Sequence, residues 1–188
     1  GVTISAPLKK TGWHASDTAE IGFNEVRVPQ TNIIGELGSG FKTLMQNFQT
    51  ERLALAAYGS ATAQICLEKA QEYAKQRQAF GRSLTGFQVT RHKLAQMATQ
   101  TLAAKTLTYQ VAKSMDAGNY IVQEVSMAKN FTAQVAVEVS YEAVQIHGGM
   151  GYMRETVVER LSRDARLLPI GGGTQEIMNE IIAKGLDL

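Results

Sequence analysis

Cysteine and proline are scarce in this sequence, with one cysteine and three prolines among 188 residues. A single cysteine can form no intrachain disulfide and no cysteine cluster for a metal ion, which favours a reducing compartment. Cys66 lies between Ile65 and Leu67, a setting that predicts a buried and unreactive thiol. No proline occurs between Pro29 and Pro169, so the long middle of the chain is free to be helical.

Strong charge and long apolar runs are also lacking. The net charge is +2 and the basic residues are dispersed, which argues against nucleic acid as a partner. No apolar run approaches ~18 residues and the first residues carry no basic or apolar leader, so neither a membrane span nor a signal peptide is expected. With 44% apolar and 19% charged residues, the sequence is typical of a soluble globular domain. The abrupt start in what reads as extended chain suggests a fragment of a longer protein.

The chain divides into a short β-rich beginning and a long helical remainder. Residues 1–35 contain alternating and β-branched stretches at 19–23 and 26–28, which predict two or three short strands. From residue 36 to 188 apolar residues recur at helical spacing, and stripes of this length bury best in an antiparallel helix bundle. The predicted fold is therefore mainly α, a four-helix bundle after a few strands.

Five helices and their boundaries follow from the same spacing. The first runs from about residue 41 toward 73 with an interruption near Thr50, and a turn follows at 77–86. The second ends at Gly118, and the third begins at Asn119 as its N-cap and ends at Gly148. Beyond them we expect a shorter helix over 156–167 and a last one over 174–184, with Thr174 as its N-cap.

Few residue patterns indicate a particular chemistry by themselves. The three glycines at 171–173, followed by a helix start, would expose backbone N–H groups to an anion or a polarised carbonyl, although the spacing alone favours a tight connection that needs positive φ. The pair at 148–149 has the same two interpretations. His14, His92 and His147 have no ligand-spaced partners and no Glu-x-x-His motif occurs, so no metal site is predicted. Glu51, taken alone, is an ordinary solvated helix carboxylate.

Six segments together resemble the acyl-CoA dehydrogenase family, in order and at matching spacing across essentially the whole chain. They are TGWHASDT at 11–18, FNEVRVP at 23–29, RQAFG at 77–81, QIHGGMGY at 145–152, RDAR at 163–166 and GGGTQE at 171–176. The resemblance implies that residues 1–35 are the end of a middle β-domain and that 36–188 are the C-terminal four-helix bundle. It also implies that the first half of the enzyme is missing here.

The resemblance implies FAD as the cofactor, lying between the β-domain and the bundle and reaching a neighbouring subunit. A homo-oligomer, dimer or tetramer, is expected. Flavin-contacting residues carried over by motif are Arg77, Phe80, Gln88, Gln145, Ile146, His147, Gly148, Gly149, Thr174, Gln175 and Glu176.

The catalytic base is implied to be Glu51. Most family members resemble one another in carrying a glutamate directly before the final Gly-Thr, and that position is Gly172 here. The isovaleryl-CoA and long-chain branches carry the base instead before an Arg-Leu in the first bundle helix, which Glu51 matches. Gly172 would then contribute its backbone N–H to the forming enolate, while Glu51 takes the α-proton and hydride passes to flavin N5.

Substrate contacts and partners follow from the same resemblance. The acyl-CoA would meet Ser16, Asp17, Phe48, Gln49, Arg52 and Gly173, with Gln49 standing where relatives often have an acidic residue. Electron-transfer flavoprotein is the expected acceptor, and the cytoplasm, or the mitochondrial matrix in a eukaryote, the expected compartment. The fragment alone is expected to be inactive. Alternatives are an acyl-CoA oxidase-like flavoenzyme and a non-catalytic helical assembly module.

Overall fold

Three long helices form the frame of the molecule in a computed structural model that describes all 188 residues. They are α1 (Gly40–Gln76), α2 (Gln88–Asp116) and α3 (Val122–His147), of 37, 29 and 26 residues. Each packs against the other two, and the α1–α3 contact is the most extensive. The connections between successive helices are short, so neighbours run in opposite directions. The predicted mainly helical bundle is confirmed.

The fourth side of the bundle consists of two short helices instead of one long helix. They are α4 (Val157–Ala165) and α5 (Gln175–Gly185), and both pack on α3. Between them lie Pro169 and the glycines at 171–173, which prevent a continuous helix because proline lacks an N–H and glycine loses most entropy when ordered. The glycine segment is thereby held as a loop against the bundle.

Small residues dominate the contact between α1 and α3. A Cβ added to Gly59 would lie 3.0 Å from the Thr132 carbonyl oxygen, so the two backbones approach closely there. Cys66 on α1 is fully buried, as predicted. Burial raises the pKa of its thiol to about 12, because a thiolate would lose its hydration. Cys66 is therefore a packing residue.

The first 35 residues form a thin strip beside the bundle. Strand β1 (Val2–Ile4) pairs antiparallel with β2 (Ile21–Phe23), and both strands are exposed on their two faces. Trp13 attaches the strip to α4: its backbone N–H donates to Asp164 Oδ1 at 2.6 Å and its indole N–H donates to the Asp164 carbonyl at 3.0 Å. The Trp13 ring also lies 5.1 Å from the Tyr58 ring of α1.

The connection between α1 and α2 is a β-hairpin, where the sequence predicted a turn. Strands β3 (Gln78–Ala79) and β4 (Arg82–Ser83) pair antiparallel. At the tip, Phe80 and Gly81 both have positive φ, 50° and 80°. A 3-10 turn at Leu84–Gly86 then leads into α2.

Several predicted boundaries were wrong. No interruption occurs near Thr50, because α1 is continuous and α3 packs along it. Asn119 is not the cap of α3: its side chain donates to Ser114 Oγ at 3.1 Å, and the helix begins at Val122. The helix predicted over 156–167 ends at Ala165. Residues 26–28 form no strand, since only β1 and β2 pair in this segment. None of the helices combines the length and apolar character needed to cross a membrane.

Candidate active site

Two buried cationic side chains meet the glycine loop from two different helices. Arg52 of α1 donates from Nε to the Gly172 carbonyl oxygen at 2.9 Å, and Lys129 of α3 donates from Nζ to the Gly173 carbonyl oxygen at 2.5 Å. Arg52 is 4% exposed and Lys129 is 1% exposed. Consecutive carbonyls of the loop are thus held by charged donors, which form stronger hydrogen bonds than neutral ones.

Burial disfavours the charged forms of both Lys129 and Arg52, and the charge of Arg52 also disfavours that of Lys129. The pKa of Lys129 is lowered to about 8. Burial is the largest cause, the nearby charge of Arg52 acts in the same direction, and Glu176 partly opposes both. Burial also lowers the pKa of Arg52, with Glu51 opposing the change. A buried cation is costly when it has no partner, so the loop carbonyls are the groups that stabilise both charges inside the protein.

The other face of the loop carries free hydrogen-bond donors. The N–H groups of Gly172, Gly173 and Thr174 donate to no group in the chain, whereas those of Ile170 and Gly171 both donate to the Leu167 carbonyl oxygen. Three successive free N–H groups before α5, with the positive end of its dipole behind them, suit an anion or an oxygen that gains negative charge.

Glycine is required in this loop by conformation and by space. Gly172 and Gly173 have φ of +66° and +107°. A Cβ on Gly172 would lie 2.7 Å from Leu55 Cδ1, and one on Gly173 would lie 2.7 Å from Met178 Cε. A side chain at position 172 would therefore strain the backbone and displace Leu55.

Glu51 precedes Arg52 on α1 and is exposed to solvent. The guanidinium of Arg52 lies 5.4 Å from the centre of the Phe48 ring, one turn earlier on the same helix. Gln49 donates to the Met45 carbonyl at 3.4 Å and its Oε1 is buried without a partner. The structure brings Phe48, Arg52 and Gly173 together beside the loop, with Glu51 at the next position on the helix.

The predicted N-cap of the last helix is confirmed. Thr174 precedes α5, and its Oγ1 accepts from the Ile177 N–H at 3.4 Å. Gln175 follows, and its carbonyl accepts from Asn130 Nδ2 of α3 at 3.1 Å. The exposed Glu176 completes this first turn, where an acidic side chain suits the helix dipole.

A second group of predicted residues surrounds a pocket of about 510 Å³ at the far end of α1 and α3. Arg77 lies there with Ile146, His147, Gly148 and Gly149, together with four residues that were not predicted: Tyr73, Leu84, Met150 and Met153. The predicted grouping of Arg77 with the end of α3 is thus found in one pocket. Gln145, also predicted, is exposed and does not line it.

His147 is held rigidly in this pocket. Its Nδ1 lies 2.7 Å from the Ala143 carbonyl oxygen, and because a carbonyl only accepts, Nδ1 donates. The ring stacks on Tyr73 with centroids 4.3 Å apart and 23° between the planes. In the neutral ring Nε2 is left as an acceptor, while the Arg77 side chain has no hydrogen-bonding or ionic partner in the chain.

The remaining predicted residues lie apart from these two groups. Phe80, at the hairpin tip, is 96% exposed and lies edge-on to Phe87 at 6.4 Å. Gln88 begins α2 and its Nε2 lies 3.3 Å from His92 Nε2. Ser16 and Asp17 line a separate cleft of about 270 Å³ with residues of the first segment, and no residue of the glycine loop reaches it.

Lys129 and Tyr73 are site residues that the sequence interpretation missed. The sequence did contain a signal for Lys129. It lies in the apolar stripe of α3, directly after the buried Ala128, where a charged residue is unexpected. Tyr73 gave no such signal, since an aromatic residue near a helix end is usually packing. No group of three or more His, Cys, Asp or Glu side chains converges as a metal site would require.

Comparison with known proteins places this arrangement in a family. The family profile described as "Acyl-CoA dehydrogenase, C-terminal domain" matches residues 38–186. The chain is 42% identical over 186 residues to an acyl-CoA dehydrogenase of Bacillus subtilis, and 40% identical over 186 residues to a 3-(aryl)acrylate reductase of Clostridium sporogenes. Each match covers 99% of this chain and 49% of the relative. The chain belongs to the acyl-CoA dehydrogenase family, and it spans about half the length of these relatives.

Solved structures agree with the sequence comparison. A crystal structure of a probable acyl-CoA dehydrogenase from Mycobacterium abscessus superposes with a TM-score of 0.97 and 53% identity, covering 99% of this chain and 50% of that one. A structure of PigA with FAD and proline superposes with a TM-score of 0.96 and 26% identity, covering 100% of this chain and 49% of that one. The fold is therefore the helical C-terminal domain of the family.

Proposed function

We propose that this chain is the C-terminal part of a flavin-dependent acyl-CoA dehydrogenase in which Glu51 is the catalytic base. Glu51 removes the α-proton of an acyl-CoA thioester, hydride leaves the β-carbon, and the product is the 2,3-enoyl-CoA. The observation that carries the proposal is the glycine loop, which has three successive free N–H groups and whose Gly172 carbonyl accepts from Arg52, the residue next to Glu51.

The position of the base follows from what the loop excludes. Gly172 has a positive φ and an added Cβ would lie 2.7 Å from Leu55 Cδ1, so a side chain at this position needs a strained backbone and a shift of Leu55. Glu51 is the exposed carboxylate adjacent to the Arg52 that contacts the loop. A carboxylate at this place can take a proton from a substrate whose carbonyl lies against the loop.

The free N–H groups supply what a carboxylate base needs. An α-proton of a thioester is too weakly acidic for a carboxylate unless the enolate oxygen is stabilised by positioned donors. The N–H of Gly172 is free and is fixed from both sides, by the Gly171 N–H bond to Leu167 and by the Arg52 bond to the Gly172 carbonyl. We assign the Gly172 N–H to the thioester carbonyl.

The residues present fit FAD, which the family resemblance implies and which a solved relative contains. The free N–H groups at the start of α5 suit a phosphate or a carbonyl, with Thr174, Gln175 and Glu176 beside them. The flavin nucleotide of a neighbouring subunit would meet Arg77, Gln145 and the 146–149 segment. It would also meet Phe80 at the hairpin tip and Gln88 at the start of α2. FAD, when bound, accepts the hydride.

Exposure of apolar groups supports a larger assembly. Phe80 is 96% exposed and Phe23 on strand β2 is 73% exposed, and large bare aromatic side chains mark surfaces that other groups cover. We propose that the strip at 1–35 belongs to a middle β-domain, that Ser16 and Asp17 contact CoA, and that the enzyme is a homodimer or homotetramer. The 188-residue chain alone would then be inactive, because half of each site is elsewhere.

Electron transfer and location complete the proposal. We propose that reduced enzyme passes its electrons to electron-transfer flavoprotein, in the cytoplasm of a bacterium or the mitochondrial matrix of a eukaryote. The reductase of Clostridium sporogenes raises a second candidate, reduction of an α,β-double bond by the same residues in the opposite direction. An oxidase-like enzyme would instead produce hydrogen peroxide.

The test is Glu51→Gln in the full-length enzyme, with turnover followed as flavin bleaching by a panel of acyl-CoAs. Turnover should fall by about 10²- to 10⁴-fold, the usual contribution of a general base. Glu68→Gln, another exposed glutamate on α1, is the matched control and should keep full activity. If Glu51→Gln turns over normally, the base assignment is wrong; if no acyl-CoA bleaches the wild-type flavin, the dehydrogenase proposal fails.

A further inference from the structure

The two cations behind the glycine loop have no carboxylate partner. The three ion pairs of the chain involve Lys69, Lys93 and Arg163, and neither Arg52 nor Lys129 takes part in one. Both are nonetheless almost completely buried. A buried ammonium group without a partner costs far more free energy than an apolar side chain at the same place. Packing alone therefore does not explain why a lysine occupies position 129.

The geometry of the peptide links these cations to the free donors. In a trans peptide the carbonyl oxygen of one residue and the N–H of the next lie in one plane and point in opposite directions. Lys129 holds the Gly173 carbonyl, so it sets the direction of the Thr174 N–H; Arg52 holds the Gly172 carbonyl, so it sets that of the Gly173 N–H. Both N–H groups therefore point away from the cations and out of the bundle.

Glycine makes this restraint necessary. Gly171, Gly172 and Gly173 would be the most mobile stretch of the chain if unheld, because glycine has the widest range of backbone conformations. The carbonyl oxygens of Gly172 and Gly173 accept only from these two side chains. Removing either cation frees one peptide plane of the loop.

We propose that Lys129 is a positioning residue for the reaction: with Arg52 it anchors the two peptides that follow Gly172, so that the free Gly172 N–H keeps its place for the thioester oxygen as negative charge develops. The inference rests on the proposed function and names a residue that does not touch the substrate. Loss of either anchor leaves a glycine peptide near Gly172 free to rotate, and the Gly172 N–H then loses its fixed direction.

Anchoring depends on a hydrogen-bond donor, so a neutral donor should replace Lys129 in this role. Glutamine can donate to the Gly173 carbonyl at a far smaller desolvation cost than an ammonium group. A methionine has no donor, so comparing the two variants tests whether the hydrogen bond to Gly173 positions the loop.

The experiment uses the full-length enzyme and a pair of ligands that differ only in the carbonyl. Calorimetry measures the affinity of a 2-enoyl-CoA product and of the corresponding thioether, in which CH2 replaces the thioester carbonyl. Lys129→Met should lower affinity for the carbonyl compound by about 10-fold or more, by analogy with the loss of one oxyanion donor. Affinity for the thioether should change by less than about 2-fold, because the thioether needs no donor.

Two further variants separate positioning from a general disturbance of the core. Thr101→Val replaces an equally buried polar residue whose Oγ1 has no partner, and it should leave both affinities unchanged. Lys129→Gln keeps a donor and removes the charge, so it should retain the fold and most of the preference for the carbonyl ligand. It also serves if Lys129→Met does not fold.

The outcomes are distinguishable. Equal losses for the thioester and the thioether in Lys129→Met would show a general disturbance of the core and would overturn the inference. A Lys129→Gln variant that loses the preference as fully as Lys129→Met would also overturn it. If the wild-type enzyme neither prefers the carbonyl ligand nor turns over acyl-CoA, the proposed function itself fails and the inference fails with it. A normal wild-type preference that survives in Lys129→Met rejects the inference alone.

Discussion

Two glycine loops close the two ends of this helical bundle, and they are stabilised in different ways. The loop at 148–152 folds back on its own helix: Gly148 ends α3 with φ of 58°, and Gly151 is buried against the Val144 backbone. The loop at 170–174 is held from outside, by Arg52 and Lys129 on two other helices.

The difference shows what glycine contributes in each place. In the first loop a glycine is needed because there is no space for a side chain. In the second it is needed because backbone donors have to face outward at positive φ, and distant charged residues then supply the rigidity that glycine lacks. The first loop depends on local packing, whereas the second depends on the tertiary structure.

Gly151→Ala should have the largest effect on stability. Its Cβ would contact the Val144 carbonyl oxygen and lie 2.9 Å from Val144 Cα, and neither backbone atom can move freely. We expect the free energy of unfolding to fall by about 3 kcal/mol, as in other overpacked sites. Chemical denaturation measures the change.

The matched control is Gly149→Ala in the same loop. No atom lies within 4 Å of its added Cβ and its φ is not positive, so the change should stay within about 0.5 kcal/mol. Similar losses for both variants would mean that the first loop is not closed by packing of Gly151.

Gly172→Ala tests the second loop. The positive φ costs roughly 1–2 kcal/mol for any L side chain, and Leu55 Cδ1, 2.7 Å from the added Cβ, belongs to a side chain that can move. We expect a loss of about 1.5 kcal/mol, smaller than for Gly151→Ala, together with weaker binding of a thioester ligand.

Gly171→Ala is the comparison, because its φ is not positive and its Cβ would lie 3.6 Å from Leu167. It should cost less than about 0.5 kcal/mol. If Gly172→Ala were equally mild, the backbone of the second loop would not be under the constraint described.

The pH dependence of stability should reveal the buried lysine with the smallest effect. The pKa of Lys129 falls from 10.5 to about 8 on folding, so between these values the unfolded chain binds more protons and stability rises with pH. The stability difference between wild type and Lys129→Met should therefore increase between pH 8 and 10.5, by at most about 1.4 kcal/mol per pH unit. Cys66, whose thiol pKa rises to about 12, has the opposite effect in both proteins and cancels.

Thermal or chemical denaturation at several pH values gives this difference directly. Lys69→Met, at an exposed lysine that pairs with Glu72, should show no such rise relative to wild type. A flat difference for Lys129→Met would contradict the lowered pKa of Lys129 in the folded protein.

Much of the fold was predictable because helical spacing is a local property. The long helices, the cap at Thr174 and the burial of Cys66 followed from neighbouring residues. The errors were at places where distant contacts prevail: α3 keeps α1 straight through Thr50, and Asn119 is engaged by Ser114. The candidate site was predicted through its motifs, and its residues stay proposals for function.

The sequence by itself determined a mainly helical domain of the acyl-CoA dehydrogenase family, and its motifs carried the proposal that Glu51 is the base. Only the tertiary structure decided how the glycine loop is held, because Arg52 and Lys129 lie 120 and 44 residues from the carbonyls they bind. Helix periodicity is set by residues three or four apart. The meeting of two cations with one loop depends on packing between α1, α3 and the loop, which no local pattern encodes.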